Sequence, residues 1–159
     1  LSSPCALSLH SLVLNRVQCE ALFLVANMTA SDEYYRELVS RDATLVYELR
    51  RALASGLRDV TREVLYCLAH LTLNGQHVTR VIDRAAANHV LTVLTSATDS
   101  DVQLLALTVL ESVARYLDQG RVWLTEAQLP ALLAHLTPLS ADVSRACSLF
   151  ESTYLSSAS

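Results

Sequence analysis

Apolar residues return every three or four positions along most of the chain, the spacing that gathers them on one side of an α-helix. Val17, Ala21, Leu24, Val25 and Met28 trace one broad stripe, and Val60, Val64, Cys67, Leu68 and Leu71 trace another. Helix-start and helix-stop residues divide the pattern into elements. Pro4 to Leu14 reads as a helix ended near Asn15, and Arg16 to Thr29 as the first long helix. Ser31-Asp32 can cap a short helix from Glu33 to Ser40, because their side chains accept from free N-terminal amides. Asp42 or Thr44 then opens a helix to about Ala54, stopped by Ser55-Gly56. Asp59 to Leu73 is the second long helix, closed by Asn74-Gly75. Gln76 to Arg84 is short and Ala86 to Ser96 medium. Asp99 or Ser100 caps a third long helix to about Leu117, ended by Gly120. Thr125 to Leu136 and Ala141 to Leu155 add two more helices before a Ser-rich tail.

The long helices share a second pattern beside the apolar stripe. Glu20, Phe23 and Asn27 stand in the same relative places as Glu63, Tyr66 and His70, with the aromatics at 23 and 66. A faded third copy follows at Leu104, Leu107 and Glu111. On a helix each triplet forms a line at the edge of the apolar face, so the aromatic points largely away from the stripe. Recurrence off the stripe marks a surface built for contact rather than packing. A period near 42 residues, filled by short, medium and long helices, predicts an all-α, armadillo-repeat, right-handed superhelical solenoid. About three repeats and a C-terminal capping helix pair are expected within a single domain, 1–159. Residues 1–30 end one repeat, 31–75 form the second, 76–120 the third and 121–159 the cap, with Trp123 filling the junction before the last helices.

Composition narrows the function classes. The chain is 52% hydrophobic and only 18% charged, which fits a core-rich helical domain and argues against disorder. All twelve basic residues are arginine, and sixteen acids bring the net charge to −4. No basic stripe is visible, so nucleic acid is not an expected partner; the acidic balance favours a basic one. Cys5, Cys19, Cys67 and Cys147 are scattered, with no Cys-x-x-Cys pair, and read as free thiols in a reducing compartment. No apolar run is long enough to predict a membrane span. Asn27-Met28-Thr29 matches a glycosylation sequon, but within a helix the match reads as chance. The histidines at 10, 70, 77, 89 and 135 have no partner at metal-ligand spacing, and His77 and His89 read as surface residues. Neither a phosphate-binding glycine loop nor a nucleophile motif occurs, so no enzyme, metal or cofactor is expected. The chain lacks an initial Met and its first fifteen residues read as the tail of an earlier repeat. The expectation is a fragment of a longer protein that retains a genuine C-terminus.

The residues resemble the importin-α (karyopherin-α) armadillo family, whose long helices carry an E-A-x-W-x-x-x-N motif. Glu20-Ala21-Leu22-Phe23 with Asn27 matches it with Phe for Trp. Glu63-Val64-Leu65-Tyr66 with His70 matches it with Tyr for Trp and His for Asn. Leu107 and Glu111 resemble the degenerate last repeats, and Ala146, Leu149, Phe150, Glu151 and Tyr154 the terminal cap, with Val143 where an aromatic is usual. The resemblance covers nearly the whole chain, along the family's C-terminal third.

The resemblance implies an adaptor of nuclear protein import, present in cytoplasm and nucleus, that holds basic linear peptides of cargo proteins in a concave groove. Glu20, Phe23, Asn27, Glu63, Tyr66, His70 and Glu111 are the implied peptide-binding residues. It further implies importin-β as a partner through an upstream segment, and the nuclear export receptor through the surface from Ala141 to Tyr154. The chemistry suits the residue types: Asn pairs with peptide backbone, aromatic faces hold Lys or Arg stems, and carboxylates supply opposing charge. The replaced Trp and Asn positions support an alternative, an interaction scaffold on the same solenoid whose groove no longer reads localisation signals.

Overall fold

The computed structural model describes the backbone of residues 4–155 and the side chains of residues 14–154. Among the described residues every regular element is helical: α1 (Pro4–Ser31), α2 (Glu33–Arg41), α3 (Ala43–Ala54), α4 (Arg58–Leu71), α5 (Gly75–Val81), α6 (Arg84–Ser96), α7 (Ser100–Tyr116), α8 (Gly120–Glu126), α9 (Leu129–His135) and α10 (Ala141–Phe150), the last running into a π-helical turn at Glu151–Leu155. The fold is all-α. None of the described helices is long and apolar enough to cross a membrane.

Local chemistry accounts for most boundaries. Asp32 accepts from the Tyr34 amide, Asp42 from Thr44 and Leu45, Asn74 from Gln76, Asp83 from Ala86, Asp99 from Asp101 and Ser140 from Val143. Each such cap satisfies a helix-end donor and contributes about 1 kcal/mol. Gly56, just after α3, takes φ +69, a left-handed conformation that glycine adopts without steric cost.

Four boundaries depart from the sequence reading. The two helices expected on either side of Asn15 are one, α1, because Asn in a helix interior costs well under about 1 kcal/mol and neither Gly nor Pro breaks the run. Gly120 does not end α7; it opens α8, where a side chain would meet the Val113 carbonyl. The single helix expected from Thr125 to Leu136 is split into α8 and α9 at Gln128, which sits at φ 59. The helix expected to reach Leu155 changes to a π turn after Phe150.

The long helices α1, α4 and α7 pack in succession, α1 on α4 and α4 on α7, and the shorter α10 packs on α7. Medium helices back them, α3 on α4 and α6 on α7, and the short helix α2 packs on α5. The core runs through this stack: Val60, Val64, Leu65, Cys67, Leu68 and Leu71 of α4 and Val109, Leu110 and Val113 of α7 are almost completely buried.

The corresponding stripe on α1 is not core. Val17 is 61% and Leu24 64% exposed, and Met28 is exposed too; among the described residues α1 buries Leu22, Ala26 and Thr29. Neighbours make the difference. Helix α4 is enclosed by α1, α3, α5 and α7, whereas α1 packs chiefly on α4 and α2.

Candidate functional site

Helices α1 and α4 pack against each other, and Leu22, Ala26 and Thr29 of α1 and Leu65 and Ala69 of α4 are all buried. Thr29 Oγ1 donates to the Ala26 carbonyl at 2.9 Å and lies 3.8 Å from Cys67 Sγ. This contact ties α1 to α4. At the 43-residue offset of the triplets, Leu22 and Leu65, and Ala26 and Ala69, are buried counterparts, and Phe23 and Tyr66 are the exposed ones. Phe23 is 51% exposed and Tyr66 40%.

A shallow hollow of about 390 Å³ lies along that seam, lined by Cys19, Glu20 and Phe23 from α1 and Asp59, Arg62 and Glu63 from α4. Three carboxylates thus face one guanidinium. No salt bridge engages Glu20, Asp59 or Glu63 among the described residues. The Cys19 thiol registers their field: burial pushes it above its ordinary value, and Asp59, Glu63 and Glu20 push it further. Asp59 belongs to this cluster and was not anticipated from the sequence; it stands four positions before Glu63, one helical turn away on the same face.

The outer half of the triplets is arranged differently. Asn27 is exposed. His70 is turned back on its own helix, with Nδ1 donating to the Tyr66 carbonyl at 2.8 Å and its ring 4.5 Å from the Tyr66 ring. Part of the Tyr66 face is therefore already covered by His70.

The third copy is displaced by one residue from its expected place. Burial in α7 repeats that of α4 at an offset of 42: Val60, Val64, Leu65, Leu68 and Leu71 correspond to Val102, Ala106, Leu107, Leu110 and Val113, all buried. Leu107 is thus the counterpart of the core residue Leu65, and the side-line positions are Leu105, Thr108 and Ser112. Glu111 stands off this line. Its carboxylate accepts from Arg115 Nη2 at 2.5 Å and from the Tyr154 hydroxyl at 3.3 Å, which ties α7 to the terminal turn.

A second polar cluster escaped the sequence reading. His77, expected on the surface, is 1% exposed. Its Nε2 donates to Glu33 Oε1 at 2.9 Å, and its Nδ1 lies 3.0 Å from Ser40 Oγ and 3.3 Å from Glu37 Oε2. Asn74 and Arg36 also donate to Glu33, and Arg80 donates to Glu37 at 2.9 Å. Hydrogen bonds from Arg36, His77 and Asn74 hold the Glu33 carboxyl at about 2, well below its usual 4.5. Desolvation pushes Glu37 upward, but Arg80 and Arg41 outweigh it and hold that carboxyl low as well. With every member paired, the cluster is a clasp between α2 and α5. The available signal was the acid spacing Glu33–Glu37, one turn apart on α2.

Among the described residues no group of three or more His, Cys, Asp or Glu is placed to hold a metal ion. Trp123 is half-buried in α8, and Cys67 and Cys147 are buried, as free thiols; Cys5 lies outside the residues whose side chains are described.

No protein-family model matches the chain, and no curated protein does either. Among solved structures, the crystal structure of an engineered protein from a structural genomics consortium is similar, with a TM-score of 0.71 at 24% identity. The match covers 84% of this chain and 54% of that one, so it spans about half the length of the engineered protein. At this identity the likeness concerns the helical fold.

Proposed function

We propose that the chain is an armadillo-type solenoid segment that binds basic extended peptides along the α1–α4 seam, as an importin-α-like adaptor does in nuclear protein import. The observation that carries this reading is the hollow where Glu20, Asp59 and Glu63 stand around the exposed ring of Phe23 without salt-bridge partners. Carboxylates set beside an aromatic face suit a Lys or Arg side chain, whose stem lies on the ring while its charge reaches the acids. Solvated acids contribute below about 1 kcal/mol each, so several contacts in register are required. The recurrence of short, medium and long helices in α2–α4 and α5–α7 supports the repeat architecture. Glu111, off the side line, is left out of the proposed groove, whereas Asn27, Tyr66 and His70 extend it. Cytoplasm and nucleus, importin-β and the export receptor follow as proposals from the same family reading.

Anisotropy of a labelled Lys/Arg-rich peptide at low salt tests it. Micromolar to submillimolar binding is expected, weakened roughly tenfold by Glu63→Arg, about 1.4 kcal/mol. Binding weaker than about 1 mM, or indifferent to Glu63→Arg and Tyr66→Ala together, overturns the reading.

One observation favours the scaffold alternative. His70 covers part of Tyr66, and the third side line offers Leu105, Thr108 and Ser112 in place of acid, aromatic and amide. On that reading a partner protein is retained equally well by the Glu20→Arg, Glu63→Arg double variant.

A further inference from the structure

Arginines from three helices gather at one place. Arg41 at the end of α2, Arg50 on α3 and Arg80 on α5 line an open hollow of about 400 Å³, together with the exposed Tyr47. No acidic residue is among those that line it. The hollow thus reverses the sign of the α1–α4 seam, where three carboxylates face one guanidinium. It is also opposite in sign to the chain as a whole, whose net charge is −4.

The carboxylates that pair with these arginines, Glu37 and Asp83, do not line the hollow. Arg50 reaches across to the end of α5: Nε donates to the Val81 carbonyl at 2.8 Å, Nη2 to the Arg80 carbonyl at 3.0 Å and Nη1 to Asp83 Oδ2 at 2.8 Å. Those bonds use only part of the five N–H groups of a guanidinium. Arg80 donates through Nη1 to Glu37 Oε2 at 2.9 Å and to Ser40 Oγ at 3.4 Å, and Arg41 pairs with the same Glu37 through Nε. Glu37 is therefore shared between two arginines, and it also faces His77. Three guanidiniums against two carboxylates leave one positive charge over and N–H groups to spare. Arg41 is exposed and Arg50 and Arg80 partly so, which makes all three accessible from solvent.

We propose that this hollow binds a phosphate monoester or free phosphate, whose oxygens accept from Arg41, Arg50 and Arg80. The planar guanidinium presents its donors as a fork that matches phosphate oxygens. A phosphate monoester carries about −1.5 to −2 at neutral pH and three acceptor oxygens, one for each arginine, whereas a carboxylate offers one charge and two oxygens. Arg50 is held in place by the end of α5 and Arg80 by Glu37 before any ligand arrives, which lowers the ordering cost of binding. The site lies apart from the α1–α4 seam and does not rest on the peptide-binding reading.

Titration of the intact chain, carrying isotope-labelled arginine, with a short phosphoserine peptide at constant ionic strength tests the proposal through the arginine Nε–H signals. Saturable shifts at Arg41, Arg50 and Arg80 are expected, with Kd at or below about 5 mM, and none with the unphosphorylated peptide or with acetate. Arg41→Gln, at an exposed position, should weaken binding roughly fivefold, the most that a solvated ion pair supplies. Arg80→Lys keeps the charge but loses the fork and should weaken it as well. Inorganic phosphate, run in parallel, separates the sources: binding equal to or tighter than the peptide's assigns the free ion, and weaker binding assigns a phosphorylated chain. Absence of saturation up to about 50 mM overturns the proposal. So do equal shifts at Arg58, which lies outside the hollow, indifference to Arg41→Gln, or tighter binding of an RNA oligonucleotide than of either phosphate probe.

Discussion

Truncating His77 to Ala should cost the fold about 3 kcal/mol, because it removes the centre of the α2–α5 clasp. The ring is 1% exposed and its Nδ1 lies 3.0 Å from the equally buried Ser40 hydroxyl, a contact at the upper end of the ordinary range, about 1.5 kcal/mol. The Nε2 bond runs to Glu33, whose side chain is 51% exposed, so solvent screening leaves it a minor part of the loss. The void left by the ring adds about 1 kcal/mol or more. Urea unfolding followed by far-UV circular dichroism near neutral pH measures the sum through the midpoint at unchanged slope. A second arm uses acid. The Glu33 carboxyl titrates at about 2 in the folded chain and at 4.5 when unperturbed, so its contribution is complete above 4.5 and drains as pH falls toward 2. Wild type should therefore lose stability across that window more steeply than Glu33→Gln. A loss below about 1 kcal/mol for His77→Ala, or identical acid limbs for the two proteins, refutes the clasp as a stabilising element.

Leu68→Ala, which empties a fully buried site on α4, should destabilise by about 3–5 kcal/mol, whereas Leu24→Ala on the exposed stripe of α1 should stay within about 0.5 kcal/mol. Equal effects in the same urea assay would show that α1 is enclosed in solution. Cys67, buried and pushed up to about 12, should resist alkylation at neutral pH until the chain unfolds; prompt labelling of the native protein, read by peptide mass, contradicts that burial. Gln128→Gly should stabilise by about 1 kcal/mol, since a non-glycine residue at φ 59 carries left-handed strain. That is a rise of about 2–4 °C in Tm, and a fall would place the strain elsewhere.

Helix identity and most helix starts were legible in the residues because they depend on interactions within one or two turns. Asp32, Asp42 and Asp99 cap the helices that their position announced, and the apolar period of α4 matches its buried face. The α1–α4 hollow was legible in part for the same reason: Glu20, Phe23 and Glu63 lie off the seam by helical geometry, and the equal offset of the two triplets brings them together. Asp59 joins them through the same one-turn spacing.

Where a residue's role depends on its neighbours, local pattern could not assign it. The stripe of Val17, Leu24 and Met28 has the same spacing as the core stripe of α4, yet it is exposed because α1 packs mainly on α4 and α2. Glu111 and Leu107 satisfy a 41-residue spacing, but packing selects 42 and sends Leu107 into the core. His77 becomes a buried hub because α2 lies over α5, a meeting of residues more than forty positions apart. A polypeptide's own turns determine which residues share a face; only the assembled fold determines whether that face meets water, another helix or a ligand, since burial is a property of the space between elements.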